Sequence, residues 1–311
     1  MPTDNDMTMV EDQETPGAAV AGFQNRLRFL IEMLEVDRPL RIADVGANPI
    51  NVPDYTELQK MGGCEVWGFE PEPTAFAELM KDPLPGSHFV QRAVGKTGKG
   101  LFYGHPRSGL GSILPIDKAG VTYLGRPGWH GKQRDPIEID LISLDKIPAK
   151  ELPKPDVLKI DIQGGELDVF QTGRKKLSDA VAVVTEVRFS PIYEDEPLWG
   201  DLDAELRGQG FALHKLMFAK SVPAASSVQQ QMFKPRLKNQ LMDGDAVYIR
   251  DPLKMDDWSD AQIKRLAVAA AGVFDSLDLT FHCLDALIAR EVLPETASQD
   301  FLKQLPRWMQ R

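Results

Sequence analysis

The chain is poor in the residues that would announce a staple or a metal centre. Its 311 residues include 2 cysteines and 5 histidines. Cys64 and Cys283 stand far apart, without CxxC or metal-ligand spacing. That excludes a disulfide framework and makes a reduced, cytoplasmic protein the economical reading. His88, His105, His130, His214 and His282 show no HxxxH pairing, so no metal is expected; a divalent ion on strand-end carboxylates is the minor reading. Positive charge is also scarce. A formal net charge of -10 argues against an unspecific nucleic-acid binder, which needs a basic face. No apolar run approaches the roughly 20 residues of a membrane span.

What remains is ordinary globular composition, 42% hydrophobic and 26% charged, suited to one large domain with appendages or to two domains. Residues 1–20 are acidic and rich in Pro, Thr and Asp, without the basic start and apolar core of a signal peptide. They read as a disordered tail. A catalytic domain is expected over 21–253. Phe23, Leu27, Leu30, Ile31 and Leu34 recur at helical spacing. Short apolar runs then end at Val45, Phe69, Gln91, Ile160 and Thr185, with amphipathic stretches between them. This βαβ alternation predicts an α/β, Rossmann-like fold with a parallel sheet. Residues 95–155 break the rhythm, and 122–136 reads as a long loop in which Trp129 and His130 are minor candidates for the acceptor site. Residues 254–311 read as a helical extension of three short helices, which pack on the domain or on another subunit in a homo-oligomer.

Acids close successive strands: Asp44, Glu70, Asp161 and Glu186. In open α/β sheets, ligands sit outside the carboxyl ends of the strands. Asp44-Val-Gly46-Ala-Asn48 places a glycine where a backbone must approach a ligand closely, and Glu70 ends the next strand, where an acid can accept both hydroxyls of a ribose. A dinucleotide needs a GxGxxG loop for its pyrophosphate. This chain has Gly46-Ala-Asn-Pro-Ile50 instead, which disfavours NAD and favours a nucleoside cofactor without phosphates, such as S-adenosyl-L-methionine.

In order along the chain stand Asp44-Val-Gly-Ala-Asn48, Gly68-Phe-Glu-Pro71, Ala93-Val-Gly95, Leu158-Lys-Ile-Asp-Ile-Gln-Gly-Gly-Glu166, Thr185-Glu-Val187 and Asp245-Ala-Val-Tyr-Ile-Arg250. This set resembles the FkbM-type S-adenosylmethionine-dependent methyltransferases. The resemblance implies a seven-stranded class I methyltransferase sheet whose last strand inserts antiparallel. It implies cofactor contacts from Asp44, Gly46, Asn48, Glu70, Ala93, Val94 and Asp161. It also implies transfer to a hydroxyl of a small molecule or glycan, with Asp161 as base or orienter and Glu166 and Glu186 shaping the acceptor site. Glu166 doubles as a helix-start acid, favoured there by the helix dipole.

Two positions depart from the family pattern. Pro49 and Ile50 stand where a glycine commonly follows, and Gln163 replaces the first glutamate of DxEGxE. Both favour the competing reading, a non-catalytic binding or scaffold protein that keeps the fold.

Overall fold

The computed structural model describes residues 16–233 and 236–310. Of the expected tail, residues 1–15 lie outside the described residues, and helix α1 (Pro16–Leu34) already occupies the rest. The central sheet contains β1 (Leu40–Val45), β2 (Cys64–Phe69), β3 (Ser87–Val90), β7 (Val157–Ile160), β8 (Ala182–Arg188), β9 (Phe211–Val222) and β10 (Gln240–Arg250). A small second sheet holds β4 (Ala93–Val94), β5 (Gly98–Phe102) and β6 (Ile137–Ile142).

The seven strands run in the order β3-β2-β1-β7-β8-β10-β9. β3, β2, β1, β7 and β8 pair parallel with one another in that order, and β10 lies antiparallel to both β8 and β9. The chain leaves β1 toward β2 on one side and returns to β7 on the other. That reversal opens a crevice at the carboxyl ends of β1 and β7. The second sheet is inserted between β3 and β7 and stands over the same end.

Side-chain alternation explains the layers. Ile42, Val66, Val157, Ala182, Val184 and Val247 face one side, where Leu27, Leu30 and Leu34 of α1 meet α7 (Asp260–Gly272) and α8 (Leu277–Ala289). Ala43, Val45, Phe69, Leu158, Ile160 and Val183 face the other. There they meet α5 (Glu166–Thr172) and α6 (Trp199–Gly208) through Val169, Phe170, Leu202 and Leu206. Each such aliphatic side chain contributes about 1.5–3 kcal/mol when fully buried.

The C-terminal helices do not stand apart from the domain. α7 starts at a capping box of Ser259 and Gln262 and is buried along Leu266–Gly272. A helix apolar on every side must be enclosed, and here α1, α8 and the sheet enclose it. The apolar residues that suggested three short packing helices lie in the core shared with the sheet: Ile263, Leu266, Phe274, Leu284, Leu287 and Phe301 are all fully buried.

The expected loop over 122–136 is partly ordered. Asp117 caps a short helix, α4 (Lys118–Tyr123), by accepting from Ala119 N–H and Gly120 N–H. β9 and β10 also run further than their apolar cores suggested, which carries polar residues of both strands out to the crevice. No helix among the described residues is long and apolar enough to cross a membrane.

Candidate active site

A cavity of about 1110 Å³ lies over the carboxyl ends of β1, β2, β7 and β8 and the amino-terminal half of the antiparallel β10. Ligand pockets commonly span about 300–1,000 Å³, so there is room for a nucleoside cofactor and an acceptor together. Gly46, Asn48, Glu70, Ala93, Val94, Asp161 and Glu186 line it, as the sequence suggested.

Gly46 has φ +86°, and a Cβ there would meet the Asp161 carbonyl at 2.1 Å. The glycine is therefore demanded by the chain crossing from β7, rather than by a ligand's approach. The crossing is pinned by the Asp161 N–H donating to Val45 O at 3.0 Å. Asn48 turns its side chain back on the loop, where Oδ1 accepts from Ile50 N–H at 3.2 Å. Glu70 is buried with Oε1 accepting from Glu72 N–H at 2.8 Å, and burial pushes its carboxyl above the ordinary range. Beyond it, Val94, Phe102, Ile139 and Leu141 form an apolar slot. A slot of apolar side chains beside a buried carboxylate fits an adenine ring and its ribose.

Asp44 does not line the cavity. It is buried beneath it, accepting from Tyr55 Oη at 2.6 Å and pairing with Lys159 Nζ at 3.0 Å. Lys159 is its register neighbour on β7. Burial opposes the lysine's charge, but Asp44 and then Asp161 more than offset it, and its pKa is raised. Asp44 thus fixes a cation and a phenol that do face the cavity.

Glu166 also departs from its expected place. One carboxylate oxygen accepts from Ile162 N–H and the other from Gly164 N–H, both at 2.9 Å. It is buried and does not border the cavity; burial pushes it up to about 7. These two hydrogen bonds brace the 161–166 turn. Asp161, Glu166 and Glu186 bring carboxylate oxygens within 4.8 Å of one another. However, N–H donors already meet them: two backbone amides on Glu166, and one side-chain amide between the other two.

That amide is Gln163, at φ +60°. Its Nε2 donates to Asp161 Oδ1 and to Glu186 Oε2, each at 2.7 Å. Its Oε1 accepts from Arg188 Nη2 at 2.6 Å and Tyr193 Oη at 3.1 Å. All four hydrogen-bonding capacities of the amide group are used. A glutamate would supply none of the donors. The departure at 163 therefore converts a cluster of three acids into two acids joined by a bridge.

Arg188 supports this edge from inside. It is buried, with Nη1 2.6 Å from Glu186 Oε1 and Nε 3.0 Å from Glu196 Oε1, and these acids raise its pKa against its burial. Burial pushes Glu186 upward while Arg188 pulls it back. Sequence reasoning passed over Lys159, Arg188 and Asp245. The signal for two of them was present: a lysine or an arginine inside an otherwise apolar strand must find an acid. Trp129 and His130 do not line the cavity. Instead the Trp129 carbonyl holds Nε2 of His105 at 3.2 Å, and His105 faces the cavity.

A parallel sheet with one antiparallel insertion next to its far edge, and a crevice of acids at the reversal point, define a class I methyltransferase. Residues 44–213 match the family described as Methyltransferase FkbM domain, more than half of the chain. The chain belongs to that family and is an S-adenosylmethionine-dependent methyltransferase. It is 26% identical over 189 residues to the 2-O-methyltransferase NoeI of Sinorhizobium fredii, covering 57% of this chain and 74% of that protein. It is 29% identical over 169 residues to the hexuronic acid methyltransferase AglP of Haloferax volcanii, covering 53% of this chain and 62% of that protein. Among solved structures it is similar to magnesium protoporphyrin IX methyltransferase (ChlM) from Synechocystis with bound SAM, at 11% identity and a TM-score of 0.33, over 74% of this chain and 80% of that one.

Proposed function

We propose that the enzyme methylates a hydroxyl group of a saccharide, with Asp161 receiving the hydroxyl proton. The observation that carries the reading is the bridge from Gln163 to Asp161 and Glu186, which holds an exposed carboxylate in one orientation at the crevice edge. The names of NoeI and AglP, one a 2-O-methyltransferase and the other acting on a hexuronic acid, support a sugar as the acceptor.

S-adenosylmethionine, when bound, supplies an electrophilic methyl group on a cationic sulfur. The chain's own residues do the rest. Glu70 would hold the ribose, and Val94, Phe102, Ile139 and Leu141 would cover the adenine. Asp161, exposed at the crevice edge, would orient the acceptor oxygen for in-line displacement. Asp161 would take the proton that the acceptor hydroxyl loses on methylation.

The test is turnover of Asp161→Asn with saccharide acceptors. General-base catalysis contributes about 10²–10⁴-fold. The expected result is a fall of that order in kcat with S-adenosylmethionine affinity unchanged. Full turnover in Asp161→Asn would remove the carboxylate from the mechanism.

A further inference from the structure

The outer strands carry a feature that lies beyond the stretch matched by the family. Glu186 of β8 is the register partner of Asp245 on β10, and Asp245 is the partner of Phe218 on β9. Asp161 follows the paired residues Ile160 and Thr185 and so extends the same row across the sheet. The row therefore reads Asp161, Glu186, Asp245, Phe218, and all four line the cavity.

Phe218 reaches this row through an irregularity. The pairing passes from Asp245–Phe218 to Ala246–Leu216, so Met217 is an extra residue on β9. Leu216 packs with the core cluster that contains Ala246, on the face opposite Asp245. Without the bulge, Phe218 would share Leu216's face, because side chains alternate. The bulge turns it over, a common use of bulges beside active sites. The result is an aromatic residue 49% exposed beside the carboxylates of Asp245 and Glu186.

Asp245 is the other anomaly. It has no hydrogen-bond or ion-pair partner among the described residues. Burial first, and then Asp161, push its carboxyl up to about 6, opposed by Lys159. The two nearby lysines are committed elsewhere: Lys159 to Asp44 at 3.0 Å and Lys220 to Asp243 at 3.3 Å.

We infer that the Phe218–Asp245 pair is the acceptor subsite, and that it takes a neutral pyranose ring with its C–H face on Phe218 and a hydroxyl donating to Asp245. The inference rests on the saccharide reading above and narrows it. An aromatic face beside an unpartnered carboxylate complements a ring that is apolar on one face and hydroxylated at its rim. Three carboxylates stand in the row with both nearby lysines already paired, and the arginines that line the cavity, Arg92, Arg107 and Arg134, come from the inserted region and not from these strands, so the row itself repels a uronate.

The experiment measures binding and turnover separately. Methyl β-glucopyranoside, methyl β-galactopyranoside and methyl β-glucuronide are titrated against the full chain loaded with S-adenosylhomocysteine, by ligand-observed NMR. The variants are Phe218→Ala, Phe218→Trp and Asp245→Asn. The expected result is binding of a neutral glycoside, weakened tenfold or more in Phe218→Ala and restored in Phe218→Trp, with S-adenosylhomocysteine affinity unchanged in each. Asp245→Asn weakens the neutral glycoside severalfold. Equal affinity for glucuronide, an unaffected Phe218→Ala, or a Phe218→Trp as weak as alanine overturns the subsite. Binding without any methyl transfer would overturn the proposed function and leave the subsite standing.

Discussion

Gln163→Glu isolates what the bridging amide does. In the native chain Nε2 donates to two carboxylates at 2.7 Å. In the variant an oxygen faces the same two oxygens, and one proton must be shared among three acids. Hydrogen bonds to charged groups are worth about 1.5–3 kcal/mol each, which sets the lower bound of the loss. The upper bound comes from proton uptake. Holding a glutamate protonated at pH 8, against an unfolded value near 4.3, costs about 5 kcal/mol at roughly 1.4 kcal/mol per unit. The sign follows from linkage: the folded variant binds a proton that the unfolded chain has released, so its stability falls as pH rises above about 4.3. At pH 5 the proton term shrinks to about 1 kcal/mol. Urea unfolding of both proteins at pH 5.5 and pH 8 is the assay. The expected deficit of the variant is about 2–5 kcal/mol at pH 8 and clearly smaller at pH 5.5. A deficit independent of pH, or none at all, would refute the bridge.

Two further outcomes follow from the cofactor side. Gly46→Ala should lower stability by about 3 kcal/mol or more, since its Cβ would sit 2.1 Å from the Asp161 carbonyl at a φ of +86°; an unchanged thermal midpoint would contradict that crossing. Glu70→Gln should weaken S-adenosylmethionine binding about tenfold by removing a charged acceptor, measured by isothermal titration calorimetry, while leaving the fold intact by circular dichroism. Unchanged affinity would move the ribose elsewhere.

Much of the sheet was legible because burial on both faces forces apolar runs such as Leu40–Val45 and Val157–Ile160, and because turns and acids punctuate them. The cofactor side was legible for the same reason: Gly46 and Glu70 occupy strand ends, and strand ends meet at the reversal point. What the sequence could not show was direction. Asp44 and Glu166 have the right residue type and position, yet each turns inward to hold a neighbour, Lys159 in one case and two backbone amides in the other. The C-terminal helices were legible from their apolar spacing, but the surface they pack on was not. Ala267 to Gly272 suits an appended helix as well as a buried one, and only packing against α1 and the sheet decides between them. Phe218 was unreadable for a different reason: β9 carries two one-residue irregularities against β10, at His214 and at Met217, so the faces of its residues do not follow a simple alternation.

The central claim is methyl transfer to a sugar hydroxyl. Incubating the purified chain with S-adenosylmethionine and a panel of neutral glycosides, followed by mass spectrometry of both products, tests it most directly. The account predicts S-adenosylhomocysteine formed in step with a glycoside heavier by one methylene unit, with the methyl group on oxygen. Bound S-adenosylmethionine that is never consumed, across neutral and acidic sugars alike, would contradict it.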